Sequence, residues 1–359
     1  MKISRRLIKA VVLLIICIII HLYSASESRV EEGYSVHFFK NISHFLRYIF
    51  GWLPFSVGDI LYGIAFIWII VKLIKAIKYI FSREKKKIIW KDKLAKAFFL
   101  LTTLYIIFNI FWGINYNRKG IAWQLELNMK PYTTDELKDM NALLVQKVNT
   151  SKASLINLQQ SYPSNKQLFL MVENAYKNIE NQPPYLQYQP PSIKSSLWGW
   201  IGNYTGFSGY CNPFTGEAQV NTTIPKFSQP FTACHEVAHQ LGYAKEMEAN
   251  FVGYLAASAS KDTLFQYSVY LDLFSYANRN LFAIDSLAAK KYSKQLSPPV
   301  VADIREWIAF SRSHQSPVEP VIRWLYGKYL ESNKQPQGIY SYDEVTGFII
   351  AYYKKFGRI

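Results

Sequence analysis

Pro230-Phe231-Thr232-Ala233-Cys234-His235-Glu236-Val237-Ala238-His239-Gln240-Leu241-Gly242-Tyr243 is the stretch on which the reading of this chain turns. On a helix, His235 and His239 share one face about a turn apart. That spacing suits two nitrogen ligands on one tetrahedral zinc ion. Glu236 follows the first histidine, where a carboxylate can serve as general base without taking a coordination position. Gly242 comes shortly after the second, where a glycine lets a helix stop in a left-handed residue and the chain turn back.

A second helix is expected to begin near Lys245 and to carry Glu246-Met247-Glu248-Ala249-Asn250. One turn and one new helix form a short path for returning a carboxylate as third ligand, with a position left open as a catalytic metal requires. Glu246 and Glu248 lie two residues apart, so on a helix they point about 200° from each other and only one can face the ion. Glu246 is preferred, because Asn250 then lies a turn further along the same face, placed to hydrogen-bond a ligating imidazole. Glu248 stays open as the alternative. The expected site is therefore zinc on His235, His239 and Glu246, with Glu236 as the catalytic base.

Toward the N-terminus the composition changes. Three apolar runs cover about Leu7 to Tyr23, Val57 to Phe81 and Ala97 to Ile114. Lys2, Arg5, Arg6 and Lys9 flank the first, and Arg83, Lys85, Lys86, Lys87, Lys91, Lys93 and Lys96 fill the gap between the second and third. The positive-inside rule makes both basic stretches cytoplasmic, so the chain after about Asn115 is expected outside a cytoplasmic (inner) membrane that it crosses three times. Ser24-Ala25-Ser26 has the small residues of a cleavage site, but the first run reaches the length of a span and is read as an uncleaved anchor. The division is a membrane anchor over 1–114 and an extracytoplasmic domain over 115–359.

The same division accounts for the charge. The chain has a formal net charge of +16, but residues 1–114 hold 17 Lys and Arg against 6 Asp and Glu, which leaves only +5 for the rest. Most of the basicity borders the apolar runs and reports topology, so no nucleic-acid partner is expected. Half the residues are hydrophobic, which excludes a disordered chain and fits contact with a lipid bilayer.

Thr133 to Glu180 reads as helices, starting at a capped turn over Thr134-Asp135-Glu136-Leu137, with Leu143, Leu144, Val148 and Leu155 at helical spacing. Residues 182–231, rich in proline, glycine and aromatics, read as ordered loops. Helical patterns resume over Ala249–Ala259, Leu264–Leu281, Ala302–Phe310 and Val318–Leu330, with a terminal segment from Tyr342 to Lys355. The fold class is mainly α, an α+β arrangement with a small strand region.

Tyr210-Cys211-Asn212-Pro213-Phe214-Thr215-Gly216-Glu217-Ala218, the stretch 230–243, and Glu246-Met247-Glu248-Ala249-Asn250-Phe251 together resemble the Bacteroidota family called domain of unknown function 3810. The resemblance extends over nearly the whole chain, including the three apolar runs and Pro54-Phe55-Ser56-Val57-Gly58-Asp59. It implies a gluzincin-type metallopeptidase with zinc on His235, His239 and Glu246. Membrane gluzincins carry Glu-x-x-Ala-Asp after the pentad, and Asn250 stands here in place of that Asp. It also implies an edge strand upstream of the pentad that pairs with substrate backbone, for which Glu217-Ala218-Gln219-Val220-Asn221 is the candidate. A donor for the reaction oxyanion is sought among Tyr210, Arg312, His314, Tyr340 and Tyr342. Cys17 lies in an apolar run, whereas Cys211 and Cys234 are expected outside and are candidates for a disulfide.

The expected function is hydrolysis of a peptide or protein substrate by a membrane-anchored zinc enzyme. The alternative is a binding or assembly module that keeps the fold without turnover. An intramembrane protease is excluded, because the pentad lies about 120 residues beyond the last apolar run.

Overall fold

The computed structural model describes residues 5–81, 90–159, 161–180 and 183–359. Of the expected cytoplasmic basic cluster, Arg83, Lys85, Lys86 and Lys87 lie outside the described residues. The apolar runs form helices Arg5–Ser24, Val57–Phe81 and Trp90–Phe111. Each contains a stretch long and apolar enough to cross a membrane, and almost none of these residues is buried by the rest of the protein. The third helix ends three residues earlier than its apolar run, because Trp112 leaves the helical conformation and Gly113–Asn117 winds into a tighter 3-10 turn.

All three helices meet the rest of the molecule at one end. Arg6 pairs with Asp92 at 2.8 Å, where the first and third helices begin, and the Tyr34 hydroxyl donates to the Ile110 carbonyl at 2.8 Å near the far end of the third. These two helices are therefore parallel. The second meets the body through its first turn, where Asp59 accepts from the Leu197 amide at 2.7 Å and the Tyr210 hydroxyl at 2.5 Å. An end, a start and an end on the same side is the alternation that three crossings demand.

The segment joining the first two apolar helices forms a wide π-helix, Val30–Phe39, and an α-helix, Lys40–Phe50. Both pack on the C-terminal body. Ser43 Oγ donates to the Gln240 carbonyl at 2.7 Å, and Arg47 donates to the carbonyls of Pro190 and Gln189 at 3.0 and 3.1 Å. Glu31 forms an ion pair at 2.7 Å with Arg118, both side chains only 2% exposed.

The body is mainly helical, as expected. Helix Thr134–Asn157 starts at Thr133, whose hydroxyl accepts from the Glu136 amide while the Glu136 carboxylate accepts from the Thr133 amide. Its buried face, with Leu137, Leu144, Val148 and Leu155, packs against helix Thr263–Ile284. Helices Pro298–Ser313, Glu319–Ser332 and Val345–Phe356 take up the other expected segments with shifted ends.

Three short strands, β1 (Ile193–Ser195), β2 (Gly209–Asn212) and β3 (Glu217–Val220), form one sheet in the order β1-β3-β2. This corrects one expectation: the Glu217 stretch is the central strand, not an edge. A tight connection over 213–216 folds β3 back antiparallel on β2, and β1 then pairs with its other side in parallel. The Glu217 carboxylate is buried and accepts from the amides of Val57 at 3.0 Å and Gly58 at 2.6 Å. It thereby caps the positive end of the second apolar helix and ties the sheet to it. The disulfide left open between Cys211 and Cys234 is not formed, and all three cysteines are free: Cys234 is packed in the hydrophobic core and Cys211 lies on β2.

Candidate metal centre and its cleft

The pentad lies on helix Gln229–Gln240, which is buried along its whole length. Gly242 ends the turn that follows with φ of +87°, the left-handed conformation expected from its position. Helix Glu246–Ala259 then returns across the first, with Lys245 as its N-cap residue. This hairpin brings His235, His239 and Glu246 together with their ligating atoms within 4.8 Å of one another.

Glu246 Oε2 is 3.2 Å from His235 Nε2 and 3.5 Å from His239 Nε2. Two ligands on a tetrahedral zinc with bonds of about 2.0–2.1 Å are separated by roughly 3.3 Å, so the spacing fits. Oε2 is buried and accepts no hydrogen bond from any described residue, a costly arrangement for a carboxylate oxygen unless something positive takes its lone pair. Burial would raise the Glu246 carboxyl, but the two imidazoles hold it well below its ordinary value. For His239, burial disfavours charge and the Glu246 carboxylate outweighs it, pushing the imidazole up to about 9. Negative potential is thus concentrated where the two Nε2 atoms converge.

The other ring nitrogens are committed. His235 Nδ1 lies 2.8 Å from Asn250 Oδ1, and His239 Nδ1 lies 2.7 Å from the Tyr243 carbonyl. With both Nδ1 atoms donating, both Nε2 atoms are free to ligate. Asn250 stands on the expected face of its helix, and its amide oxygen accepts as an Asp carboxylate would. Its amide nitrogen donates to the Tyr342 carbonyl at 3.2 Å. Glu248 is not in the cluster: it is buried on the other side of the helix, beside Gly120, with burial raising its carboxyl.

Glu236 lines the cleft beside the triad and is buried, with Oε2 accepting no hydrogen bond from a described residue. Burial pushes its carboxyl up to about 7, against the partial pull of His235 and His239. The edge strand β2 runs against it so closely that a Cβ on Gly209 would sit 2.6 Å from Glu236 Oε1 and 2.8 Å from its Cγ. A side chain on Gly209 would therefore displace Glu236.

Of the five oxyanion candidates, the structure brings Tyr342 to the triad, its ring stacked on His235 at 6.0 Å between centroids. Tyr210 lines the cleft, but its hydroxyl is spent on Asp59. Arg312, His314 and Tyr340 do not line the cleft. The sequence reading missed Tyr326, whose hydroxyl donates to Glu246 Oε1 at 2.7 Å and lies 3.4 Å from that of Tyr342. It also missed Trp112, which meets the His239 ring edge-on at 5.7 Å. Tyr326 falls in an apolar helical pattern and Trp112 at the end of an apolar run, so both read as ordinary packing residues.

The cleft has a volume of about 610 Å³, within the range of ligand sites. Its walls combine the metal cluster, β2, and residues of helix Glu319–Ser332 such as Ile322 and Tyr326. Tyr62 and Phe108, from the second and third apolar helices, complete it.

No curated protein and no solved structure matches this chain. The family described as "Protein of unknown function (DUF3810)" matches residues 34–350, which takes in the second and third apolar helices, the sheet and the whole metal cluster. The chain belongs to that family.

Proposed function

We propose that the protein is a membrane-anchored zinc peptidase whose domain lies on the extracytoplasmic side, with the metal on His235, His239 and Glu246 and with Glu236 as general base. The observation that carries this reading is the convergence of two Nε2 atoms and one unpartnered buried carboxylate oxygen at ligand spacing. Zinc held there would supply a Lewis acid that polarises the scissile carbonyl and makes water more acidic.

The protein's own residues divide the remaining work. Glu236 is within the cleft but outside the ligand set, so its carboxylate can take a proton from the attacking water and return it to the leaving amine. The free edge of β2 runs beside it, and an extended peptide laid antiparallel or parallel to that edge would add a strand and present its carbonyls to the site. Tyr342, stacked on His235, is the candidate for stabilising the oxyanion. Tyr342→Phe is expected to lower kcat about a hundredfold, the low end for loss of one donor, because Tyr326 remains beside it. Unchanged turnover in that variant would assign the role elsewhere.

The test of the reading is metal analysis of the full chain, because helices before the second span pack on the body. We expect one zinc per chain in wild type and none in His239→Ala or Glu246→Ala. Wild-type protein that takes up no zinc when purified without chelators and supplied with the ion would overturn it.

A further inference from the structure

The domain does not stand clear of the apolar helices. Trp198 packs into the second of them so closely that a Cβ on Gly63, two turns along, would come 2.8 Å from its ring, and its Nε1 donates to the Asp59 carbonyl at 3.0 Å. Directly after Trp198, the short helix Gly199–Thr205 leaves Trp200 67% exposed and Ile201 exposed. Helix Glu319–Ser332 touches that short helix and, through the Tyr329 ring at 6.3 Å from Phe108, the last turn of the third apolar helix. Its outer face carries Val321, Trp324 at 62% and Leu325, all exposed. On the loop that leads into the second apolar helix, Trp52 is 77% exposed.

These three elements are thus continuous with the lipid-facing surface of the spans, at the end where the spans meet the body. Indoles with an exposed apolar face are favoured in the boundary between headgroups and acyl chains. In water the same indoles and aliphatic side chains would stay exposed at a cost. The cleft opens among them: Tyr62 and Phe108 belong to the spans, Ile322 and Tyr326 to the Trp324 helix, and Thr205 ends the Trp200 helix that 206–208 follow.

We propose that Trp52, the Trp200 helix and the Trp324 helix form a collar immersed in the lipid interface on the domain's side of the membrane. The cleft then opens at the bilayer surface and takes a polypeptide that is itself tethered to the membrane. The collar stands on packing alone, and the substrate class rests on the peptidase reading.

The test uses the full chain in lipid nanodiscs, with Cys17, Cys211 and Cys234 replaced by alanine. A fluorophore is placed in turn on Trp200→Cys, Trp324→Cys, Ile322→Cys and, as a reference, Leu287→Cys, which is 79% exposed on helix Ser286–Ser293, packed on helices Thr263–Ile284 and Thr134–Asn157. Nitroxide lipids labelled near the headgroup should quench the first three by at least half and leave the fourth bright. Probes at 200 and 324 as bright as that at 287 would overturn the collar. Quenching there but not at 322 would overturn the claim that the cleft opens on the membrane. Zinc-loaded wild type should also cut a degenerate peptide mixture faster on a lipid anchor than free in solution, and equal rates would overturn the tethered substrate. Cleavage of neither overturns the substrate class together with the peptidase reading, while the quenching result stands on its own.

Discussion

On the proposed peptidase reading, replacing Glu236 with glutamine should cut hydrolysis by about 10²–10⁴ and leave one zinc per chain. The substitution keeps the size and one acceptor oxygen of the side chain but removes its basicity. Glu236 is not among the three residues whose ligand atoms converge, so metal content should not change. Loss of a positioned general base costs about 10²–10⁴ in rate. The wild-type rate should also show an acid limb that the variant lacks. Burial holds the Glu236 carboxyl up to about 7, with the imidazoles pulling it down; a bound dication adds to that downward pull, so the limb should fall below 7. The sign is fixed by chemistry: the base works only when deprotonated, and activity falls as pH drops through its pKa. A binding module would behave differently. Its cellular role would survive Glu236→Gln unchanged, which is the outcome that would sink the enzymatic reading.

The local parts of this arrangement were legible in the sequence because they rest on helix periodicity. His235, Glu236 and His239 are read from a five-residue spacing, and Gly242 and Glu246 follow from where a helix can stop and restart. Asn250 likewise follows from the four-residue spacing to Glu246, and it meets His235 Nδ1. What the sequence did not disclose is what folding brings from a distance. β3 lies in the middle of its sheet because β1, some two dozen residues upstream, pairs with its outer side, and strands of three or four residues leave little alternation to read. Tyr326 reaches Glu246 from 80 residues away. Trp112, just past the end of the third apolar helix, reaches the His239 ring from 127 residues away.

The segment between the first two apolar helices holds the contact with the largest expected effect on stability. Glu31→Ala should destabilise the protein by about 3–5 kcal/mol, the range for removing one partner of a buried ion pair. Both side chains are 2% exposed, and Glu31 also accepts from the Gly120 amide at 3.2 Å and from Gln124 at 2.6 Å. Arg118 reaches on to the Gly242 carbonyl at 3.1 Å and lies over the Tyr243 ring at 4.4 Å. Without Glu31 its charge is left buried without a hydrogen-bonded counter-ion, with carbonyls, a ring face and the pull of the Glu248 carboxylate as partners, at the turn that returns Glu246 to the histidines. Replacing both residues, as in Glu31→Leu with Arg118→Met, should recover most of the loss, because the penalty comes from the unpaired charge rather than from the missing pair. The pH dependence follows from the same contacts. Burial would raise the Glu31 carboxyl, but Arg118, Gly120 and Gln124 together hold it below its ordinary 4.5. A depressed carboxylate contributes its full stability above the unfolded value and loses it as pH falls through the folded one. Thermal melts of the full chain in detergent should therefore show wild type losing Tm below about pH 4.5 more steeply than the double variant. Parallel acid limbs in the two proteins would place the acid sensitivity elsewhere.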